Sequence, residues 1–352
     1  MNGESKIITT TENDLSSMID TIIKETGGDP EKFEGRLVHD MINTATRFIT
    51  DNTDTGYLKL CTKALKELRY AFKVFSRYKD IQKISIFGSA RTKETDPDFL
   101  TAIDFSRKIA ERGWMVITGA GAGIMKAGHV GPGREASFGV SIRLPFETTE
   151  NEIIAGDEKL IRFKYFFTRK LMFISQSNAV ALFPGGFGTQ DEGFEALTLV
   201  QTGKGAMVPV VMLEGEGVNY WKHWDNYVRR SLLEYDKISP EDLNLYYLAK
   251  DVDDAVEHVC RFYHVYHSSR YVRDDLVLRL KRPLTEEQVD ILNQEYSSLV
   301  KEGKMVLRGA LDQEEEFRDL PRLVFNHKKG RYGLLRGMID RINSFYADEP
   351  LR

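Results

Sequence analysis

Three glycine-rich turns, each directly after a short apolar run, constrain the fold of this chain more than any other feature. The turns are Gly88-Ser89-Ala90-Arg91, Gly119-Ala120-Gly121-Ala122-Gly123 and Pro184-Gly185-Gly186-Phe187-Gly188-Thr189. Apolar runs of four to six residues that alternate with helical segments are typical of parallel strands buried on both faces. Because parallel strands end at one edge of their sheet, we expect the three turns to lie together at that edge.

The alternation extends over residues 81–265 and predicts a doubly wound, Rossmann-like α/β sheet with right-handed crossovers. The predicted strands are 84–87, 114–118, 138–144, 179–183, 208–213 and 245–248. The predicted helices are 99–111, 160–176, one beginning at 189, 220–232 and 252–263.

The segments on either side have different patterns. Residues 1–80 predict a helical N-terminal extension, with apolar residues at helical spacing in 15–23, 38–49 and 65–75. Residues 266–352 predict a small α+β appendage, with strands at 272–280, 305–307 and 323–325 and helices at 285–301 and 332–345. The sequence therefore predicts three parts, divided near residues 80 and 265.

Composition narrows the class of protein. The 352 residues carry a net charge of −4, with no basic excess, which argues against a nucleic-acid partner. The N-terminus lacks the apolar run of a signal peptide, and no segment is apolar enough to span a bilayer, so we expect a cytoplasmic protein. Cys61 and Cys260 have no metal-ligand spacing and are expected to be buried in a reducing compartment.

The third glycine turn is suited to binding a phosphate. Its glycines, placed between a strand and a helix, allow a sharp turn that directs several N–H groups into one small space, where the helix dipole adds positive charge. Thr189 can offer its hydroxyl to the same anion. Thr189 and Glu192 also fit a capping box, so the sequence leaves open whether Glu192 faces a ligand or its own helix start.

Two adjacent cations, Arg169 and Lys170, precede this turn on a segment that also contains Phe166-Phe167 and Leu171-Met172-Phe173. A helix with this many apolar residues is expected to be mostly buried. Because buried cations are costly without a counter-charge, the pair is expected to have an anionic partner.

Arg169-Lys170, followed 23 residues after Arg169 by the last residue of Pro184-Gly-Gly-Phe-Gly-Thr-Gln-Asp-Glu192, resembles the LOG family. This family comprises cytokinin riboside 5′-monophosphate phosphoribohydrolases and related bacterial nucleotide nucleosidases, many labelled possible lysine decarboxylases. The turns at 87–91 and 118–125 also look like the first two βα turns of the family. The resemblance covers roughly residues 83–265, and it departs from the family at Ala120 and Ala122, where relatives often carry further glycines or a proline.

The resemblance implies hydrolysis of the N-glycosidic bond of a nucleoside 5′-monophosphate, and AMP or a cytokinin-type adenine nucleotide is the first candidate substrate. It implies that Arg169 and Glu192 are the catalytic pair. It also implies a homodimer or larger homo-oligomer, and no metal or coenzyme motif is present. Met125 is equally suited to core packing, and His129 is expected on a helix surface. The implied substrate-binding positions are Gly185, Gly186, Gly188, Thr189, Lys170, Asp191, Thr198, Glu147, Ser89, Gly119 and Met125.

Alternative functions remain open at this point. A dehydrogenase-like dinucleotide binder is disfavoured because residues 119–123 lack Gly-x-Gly-x-x-Gly spacing. Decarboxylation is disfavoured because nothing around Lys170 resembles a pyridoxal phosphate site. A binding protein on the same fold, such as a nucleotide sensor or a molybdenum-cofactor carrier, is the principal alternative to an enzyme.

Overall fold

The computed structural model describes residues 12–143 and 150–350, which divide into two compact units between Lys66 and Glu67. The first unit contains α1 (Glu12–Glu25), α2 (Phe33–Thr50) and the beginning of α3 (Thr55–Phe75). The helices predicted around residues 15–23, 38–49 and 65–75 are confirmed. No described helix is both long and apolar enough to cross a membrane.

The second unit is built on a seven-stranded sheet in which all neighbouring strands are parallel, in the order β4-β3-β2-β1-β5-β6-β7. The strands are β1 (Lys83–Phe87), β2 (Met115–Thr118), β3 (Ser137–Ile142), β4 (Leu160–Phe163), β5 (Ala179–Leu182), β6 (Val210–Met212) and β7 (Tyr247–Leu248). The intervening helices are α4 (Pro97–Glu111), α5 (Ile124–Val130), α6 (Phe166–Ser175), α7 (Phe187–Gln201), α8 (Tyr220–Tyr227) and α9 (Val252–Phe262). The predicted Rossmann-like α/β fold is confirmed.

The central strands are apolar because both faces of the sheet are covered. Successive side chains of a strand point to opposite faces. On β1, Ile84 and Ile86 pack in one core with α4, α5 and α9, whereas Phe87 packs in the other core, against Phe173 of α6. Every residue of β1, β2 and β5 is buried, as continuous apolar runs predict.

The predicted helix at 160–176 is wrong in its first part. Residues 160–163 form the edge strand β4, which pairs with β3 through the register Gly139↔Leu160 to Ile142↔Phe163, and only the following residues form α6. Leu160, Ile161 and Phe163 are buried while Arg162 is exposed, so the strand does not have the strict alternation that would distinguish it from a helix. An apolar strand that leads directly into an apolar helix produces one uninterrupted pattern.

The end of α8 also differs from the prediction of a single helix at 220–232. The α-helix ends at Tyr227 and continues as a π-helical segment, Val228–Leu233. Helical periodicity in the sequence does not separate these two hydrogen-bonding patterns, because both place side chains around a helical axis.

The C-terminal residues form a four-stranded antiparallel sheet in the order β10-β11-β9-β8. The predicted strand at 272–280 is the second half of a hairpin that turns at Arg273, whose φ is 55°. Leu276 and Leu278 belong to the same core as Ile84, so the antiparallel sheet packs against the parallel one. The elements are β8 (Tyr266–Val272), β9 (Asp275–Leu280), α10 (Glu286–Glu295), β10 (Val306–Arg308), β11 (Arg322–Asn326) and α11 (Tyr332–Ser344). The predicted division at residue 265 stays a prediction.

Two expectations about burial are wrong. Cys61 and Cys260 are partly exposed rather than buried. On α6, Phe166, Phe167 and Leu171 are 57%, 53% and 46% exposed. Only one face of α6, which includes Met172 and Phe173, packs against the sheet. The apolar residues of the opposite face therefore remain on the surface of the unit.

Candidate active site

A cleft of about 1210 Å³ lies at the C-terminal edge of the parallel sheet. Here β1 and β5 are neighbours, but the chain leaves β1 towards β2 on one side and β5 towards β6 on the other. Open α/β sheets bind ligands at such a switch point. The N–H of Ser89 donates to the Pro184 carbonyl (3.1 Å), and the N–H of Ile124 donates to the Ser89 carbonyl (3.0 Å), so all three predicted glycine turns meet here.

Most of the predicted site residues line this cleft. Arg169 and Glu192, which were predicted as the catalytic pair, both belong to its wall. The predicted substrate-binding positions in the wall are Ser89, Gly119, Met125, Gly185, Gly186, Gly188, Thr189 and Asp191.

The three glycines of the third turn serve different purposes. A Cβ on Gly185 would overlap the Thr189 side chain, so the protein's own packing requires glycine there. A Cβ on Gly186 or Gly188 would meet no protein atom within 4 Å, and neither residue has a positive φ. At these two positions the missing side chain leaves open space beside the cleft.

The helix after this turn begins earlier than predicted. Gly186 is the N-cap of α7, Phe187 is the first helical residue, and the first helical bond runs from the Gln190 N–H to the Gly186 carbonyl (3.1 Å). The capping box that the sequence allowed between Thr189 and Glu192 does not form, because Thr189 already lies inside the helix. Glu192 is consequently in the second turn, where its side chain is available to the cleft.

The Glu192 carboxyl group is buried, and Lys170 Nζ lies 3.9 Å from its Oε2. The residue is only 9% exposed, and its Oε2 is buried without a hydrogen bond. Burial raises the pKa of Glu192 to about 7, against the opposing charges of Lys170 and Arg169. A carboxyl group with this pKa is present in both its ionised and its protonated form near neutral pH, as acid–base catalysis requires.

Lys170 lies behind Glu192 and is not part of the cleft wall. Its Nζ is 2.6 Å from Asp191 Oδ2, 2.8 Å from Glu195 Oε2 and 3.9 Å from Glu192 Oε2. The expected anionic partners are thus carboxylates of α7, and the predicted substrate contact by Lys170 stays a prediction. The ammonium group instead holds three carboxylates together.

Arg169 reaches the cleft from α6. Its Nε donates to the Val140 carbonyl (2.9 Å), and its guanidinium lies over the Phe173 ring at 5.2 Å. A Cβ on Gly119 would overlap the guanidinium nitrogen Nη2, so Gly119 is required by the position of this arginine. Strand, helix and glycine turn together fix the guanidinium beside the cleft.

Two further predicted positions are not in the site as described. Thr198 lies two turns further along α7, is exposed, and does not line the cleft. Glu147 lies outside the described residues. His129, expected on a helix surface, is completely buried, because its ring nitrogens face Thr118, Asn151 and the Phe138 carbonyl.

Sequence reasoning missed a group of residues beside the third turn. Tyr220 and Gln190 both line the cleft, and they are hydrogen-bonded to each other. Gln190 was within the motif, but neither side chain has a spacing that marks it as functional. Only the packing of α8 against α7 brings Tyr220 to the turn.

Comparison with known proteins gives two matches to this part of the chain. Residues 117–259 match the family model described as possible lysine decarboxylase. The cytokinin riboside 5′-monophosphate phosphoribohydrolase of Mycobacterium tuberculosis (strain ATCC 25618 / H37Rv) is 29% identical over 159 residues, which are 44% of this chain and 81% of that protein. Both matches lie on the parallel-sheet part of the chain, and they support its resemblance to the LOG family.

Solved structures with a similar fold include two proteins that are named for the molybdenum cofactor. The molybdenum cofactor carrier protein of Chlamydomonas reinhardtii is 22% identical, over 51% of this chain and 96% of that one, with a TM-score of 0.37. The molybdenum cofactor binding protein of Rippkaea orientalis is 20% identical, over 51% and 94%, with a TM-score of 0.35. Similarities this low carry no functional conclusion for this chain.

Proposed function

We propose that this chain hydrolyses the N-glycosidic bond of a nucleoside 5′-monophosphate, with AMP as the first candidate, to free base and ribose 5-phosphate. One observation carries the proposal: the desolvated carboxyl group of Glu192 lines the same cleft as an open turn of unused N–H groups. The relative from M. tuberculosis supports a hydrolase of this class.

The turn at residues 185–189 is suited to the phosphate group of such a substrate. Within residues 12–143 and 150–350, no acceptor receives the N–H groups of residues 186–189. These groups lie at the positive end of the α7 dipole, which attracts an anion. The open space at Gly186 and Gly188 lets phosphate oxygens approach the backbone closely.

Glu192 is placed to assist the bond-breaking step. As the C1′–N bond weakens, positive charge develops on the ribose, and a nearby carboxylate stabilises it. The oxygen of a water molecule bonds to C1′ while the base departs with the electron pair. The ionised Glu192 accepts a proton from that water, the departing base takes up a proton from solvent, and Glu192 then returns its proton to solvent.

Arg169 supports the ionised form of this carboxyl group. Its positive charge lowers the pKa of Glu192 against the larger effect of burial. Because the guanidinium also lines the cleft, it is available to a substrate phosphate or hydroxyl group.

A product assay tests the proposal. Purified protein is incubated with each common 5′-mononucleotide, and free base and ribose 5-phosphate are quantified for the wild type, Glu192→Gln and Arg169→Ala. We expect base release from at least one nucleotide and its loss in both variants. Nucleotide binding without hydrolysis of any of them would favour the alternative, a binding protein on the same fold.

We also propose that the chain forms a homo-oligomer. Apolar side chains on α6 and α7 are exposed on the described unit, among them Phe166, Phe167 and Leu171, with Phe187 at 96% exposure. Burying such side chains between copies is favourable by about 25 cal/mol per Å². Light scattering coupled to gel filtration should give a mass of twice 40.3 kDa or more for the wild type. A monomeric mass at micromolar concentration would contradict this proposal.

A further inference from the structure

We propose that Tyr220 is a positioning residue that orients the phosphate-binding turn through the carbonyl of Gly185. The inference rests on the proposed function only in taking the turn at 185–189 as the phosphate site. It concerns a residue of α8, outside the motif, that is not required to touch the substrate.

Three hydrogen bonds form a directed chain from α8 to the turn. The Trp224 indole Nε1–H donates to Gln190 Oε1 (2.9 Å), and an indole nitrogen is only ever a donor. This fixes the Gln190 amide, so its Nε2 donates to the Tyr220 hydroxyl oxygen (2.6 Å). The Tyr220 O–H therefore donates to the Gly185 carbonyl (2.5 Å).

This last bond determines the direction of a peptide unit in the turn. In a trans peptide the C=O and the following N–H point to opposite sides. When Tyr220 holds the Gly185 carbonyl, the N–H of Gly186 is directed away from Tyr220. A peptide between two glycines has few steric restraints of its own, and Gly186 has no side chain that packs against the protein. The hydroxyl group thus supplies an orientation that the backbone alone does not enforce.

The hydroxyl of Tyr220 is not what holds α8 in place. The neighbouring Trp221 is buried, and its indole N–H donates to the Leu213 carbonyl (2.7 Å). Trp224 packs against the rings of Phe194 and Tyr246 at 5.7 and 5.1 Å. Removing one phenolic oxygen therefore leaves the packing of the helix intact.

Tyr220→Phe tests the inference, with Tyr246→Phe as the matched control. Tyr246 also uses its hydroxyl in one hydrogen bond, to Asp225 Oδ1 (2.5 Å), but it does not line the cleft. Three quantities are measured for each protein: KM and kcat for AMP, the dissociation constant of ribose 5-phosphate by calorimetry, and the thermal midpoint. We expect Tyr220→Phe to raise KM and the dissociation constant together by about five- to tenfold, since one hydrogen bond is at stake.

The same variant should keep kcat within about twofold and its thermal midpoint close to the wild-type value, and Tyr246→Phe should change neither KM nor the dissociation constant. A fall in kcat with unchanged KM and unchanged ribose 5-phosphate binding would overturn the inference, since a loss of structure or a role at the sugar would produce it. Equal weakening by both variants would also overturn it.

Trp224→Phe provides a second test at a residue outside the cleft wall. It retains an aromatic ring but removes the donor that fixes the Gln190 amide. We expect the same direction of change at a smaller size, about two- to threefold in the dissociation constant of ribose 5-phosphate. No change in that constant would show that the chain of hydrogen bonds does not act as a unit.

These measurements separate the two proposals. Calorimetry with ribose 5-phosphate requires no turnover, so weaker binding by Tyr220→Phe supports the positioning role even if no nucleotide is hydrolysed. If the wild-type protein hydrolyses AMP and Tyr220→Phe binds AMP as tightly as the wild type does, the positioning role fails and the proposed function stands.

Discussion

The second and third glycine turns resemble each other in sequence but use glycine for different physical reasons. In the turn at 119–123, the glycines accommodate the protein itself: Gly119 and Gly121 leave room for the ends of the Arg169 and Met125 side chains, and Gly123 has a φ of 60° and lies against the Ser89 carbonyl. In the turn at 185–188, the protein requires only the first glycine. A glycine can therefore either preserve the shape of a site or leave space for its ligand. Only the atoms around the glycine distinguish these two uses.

The second turn is also locked by a buried network around Asn151. Asn151 donates to the Gly121 carbonyl (3.0 Å), and its backbone N–H donates to the Ala120 carbonyl (2.8 Å). Thr118 Oγ1 accepts the Ala120 N–H (3.0 Å), which helps to hold Ala120 at a φ of 63°. His129 Nε2 lies 3.0 Å from the Phe138 carbonyl, so this nitrogen carries the proton and Nδ1 accepts from Asn151.

The largest expected effect concerns the charge that faces the third turn. Glu192→Gln removes the carboxylate while preserving its shape, and we expect kcat for AMP to fall by about 10²–10⁴-fold. Steady-state kinetics measures this change. Glu195→Gln is the matched control, because Glu195 is also on α7 and also paired with Lys170, but does not line the cleft. Comparable losses in both variants would assign the effect to the carboxylate cluster rather than to Glu192.

The next prediction separates the two kinds of glycine directly. Gly188→Ala meets no protein atom and adds a better helix former, so the free energy of unfolding should stay equal or rise by up to about 1 kcal/mol. The added methyl group should nevertheless raise KM for AMP by about tenfold or more, because it occupies space beside the cleft. Gly123→Ala should lower the free energy of unfolding by about 2 kcal/mol, since it imposes both a strained φ and a backbone overlap. Denaturant unfolding and steady-state kinetics are measured on both variants. If the two substitutions changed stability and KM in the same way, the distinction between the two kinds of glycine would be refuted.

A pH profile tests the environment of Glu192. Its pKa is raised to about 7, so the ionised form is lost as pH falls through 7, and kcat/KM for AMP should then decline by about tenfold per pH unit. Lys170→Met should move this decline to higher pH, because Lys170 lowers the pKa of Glu192. The phosphate of the substrate titrates near 6 in both proteins and cannot cause a difference between them. An unchanged profile in Lys170→Met would mean that another group controls the decline.

The smallest expected effect concerns the network behind the second turn. Burial lowers the pKa of His129, so the folded protein favours the neutral ring. The unfolded chain takes up the proton near pH 6.5, and the folded chain loses stability as pH falls below that value, by at most about 1.4 kcal/mol per pH unit for one group. Thermal unfolding of the wild type and His129→Gln at pH 7.5 and 5.5 should show a smaller pH-dependent loss in the variant. The pKa values of His258 and His327 are lowered too, and their contributions cancel when the two proteins are compared.

Much of the fold was predictable because its signals are local. Continuous apolar runs in β1, β2 and β5 follow from burial on both faces, and glycine after each strand follows from the turn that must be made there. β4 was not predictable, because an apolar edge strand and the helix after it form one apolar segment. The start of α7 was misjudged by two residues, since Thr189 and Glu192 fit a capping pattern that the backbone does not adopt.

The sequence by itself determined that this chain forms a parallel α/β sheet and that Arg169, Glu192 and a glycine turn make up a motif that resembles the LOG family. Strand periodicity and turn chemistry act between neighbours in the chain, so they can be recognised without coordinates. Only the tertiary structure decided that Lys170 lies behind Glu192, that His129 is buried, and that Tyr220 holds the Gly185 carbonyl. These contacts join residues on different helices and turns, and their geometry depends on how the elements pack.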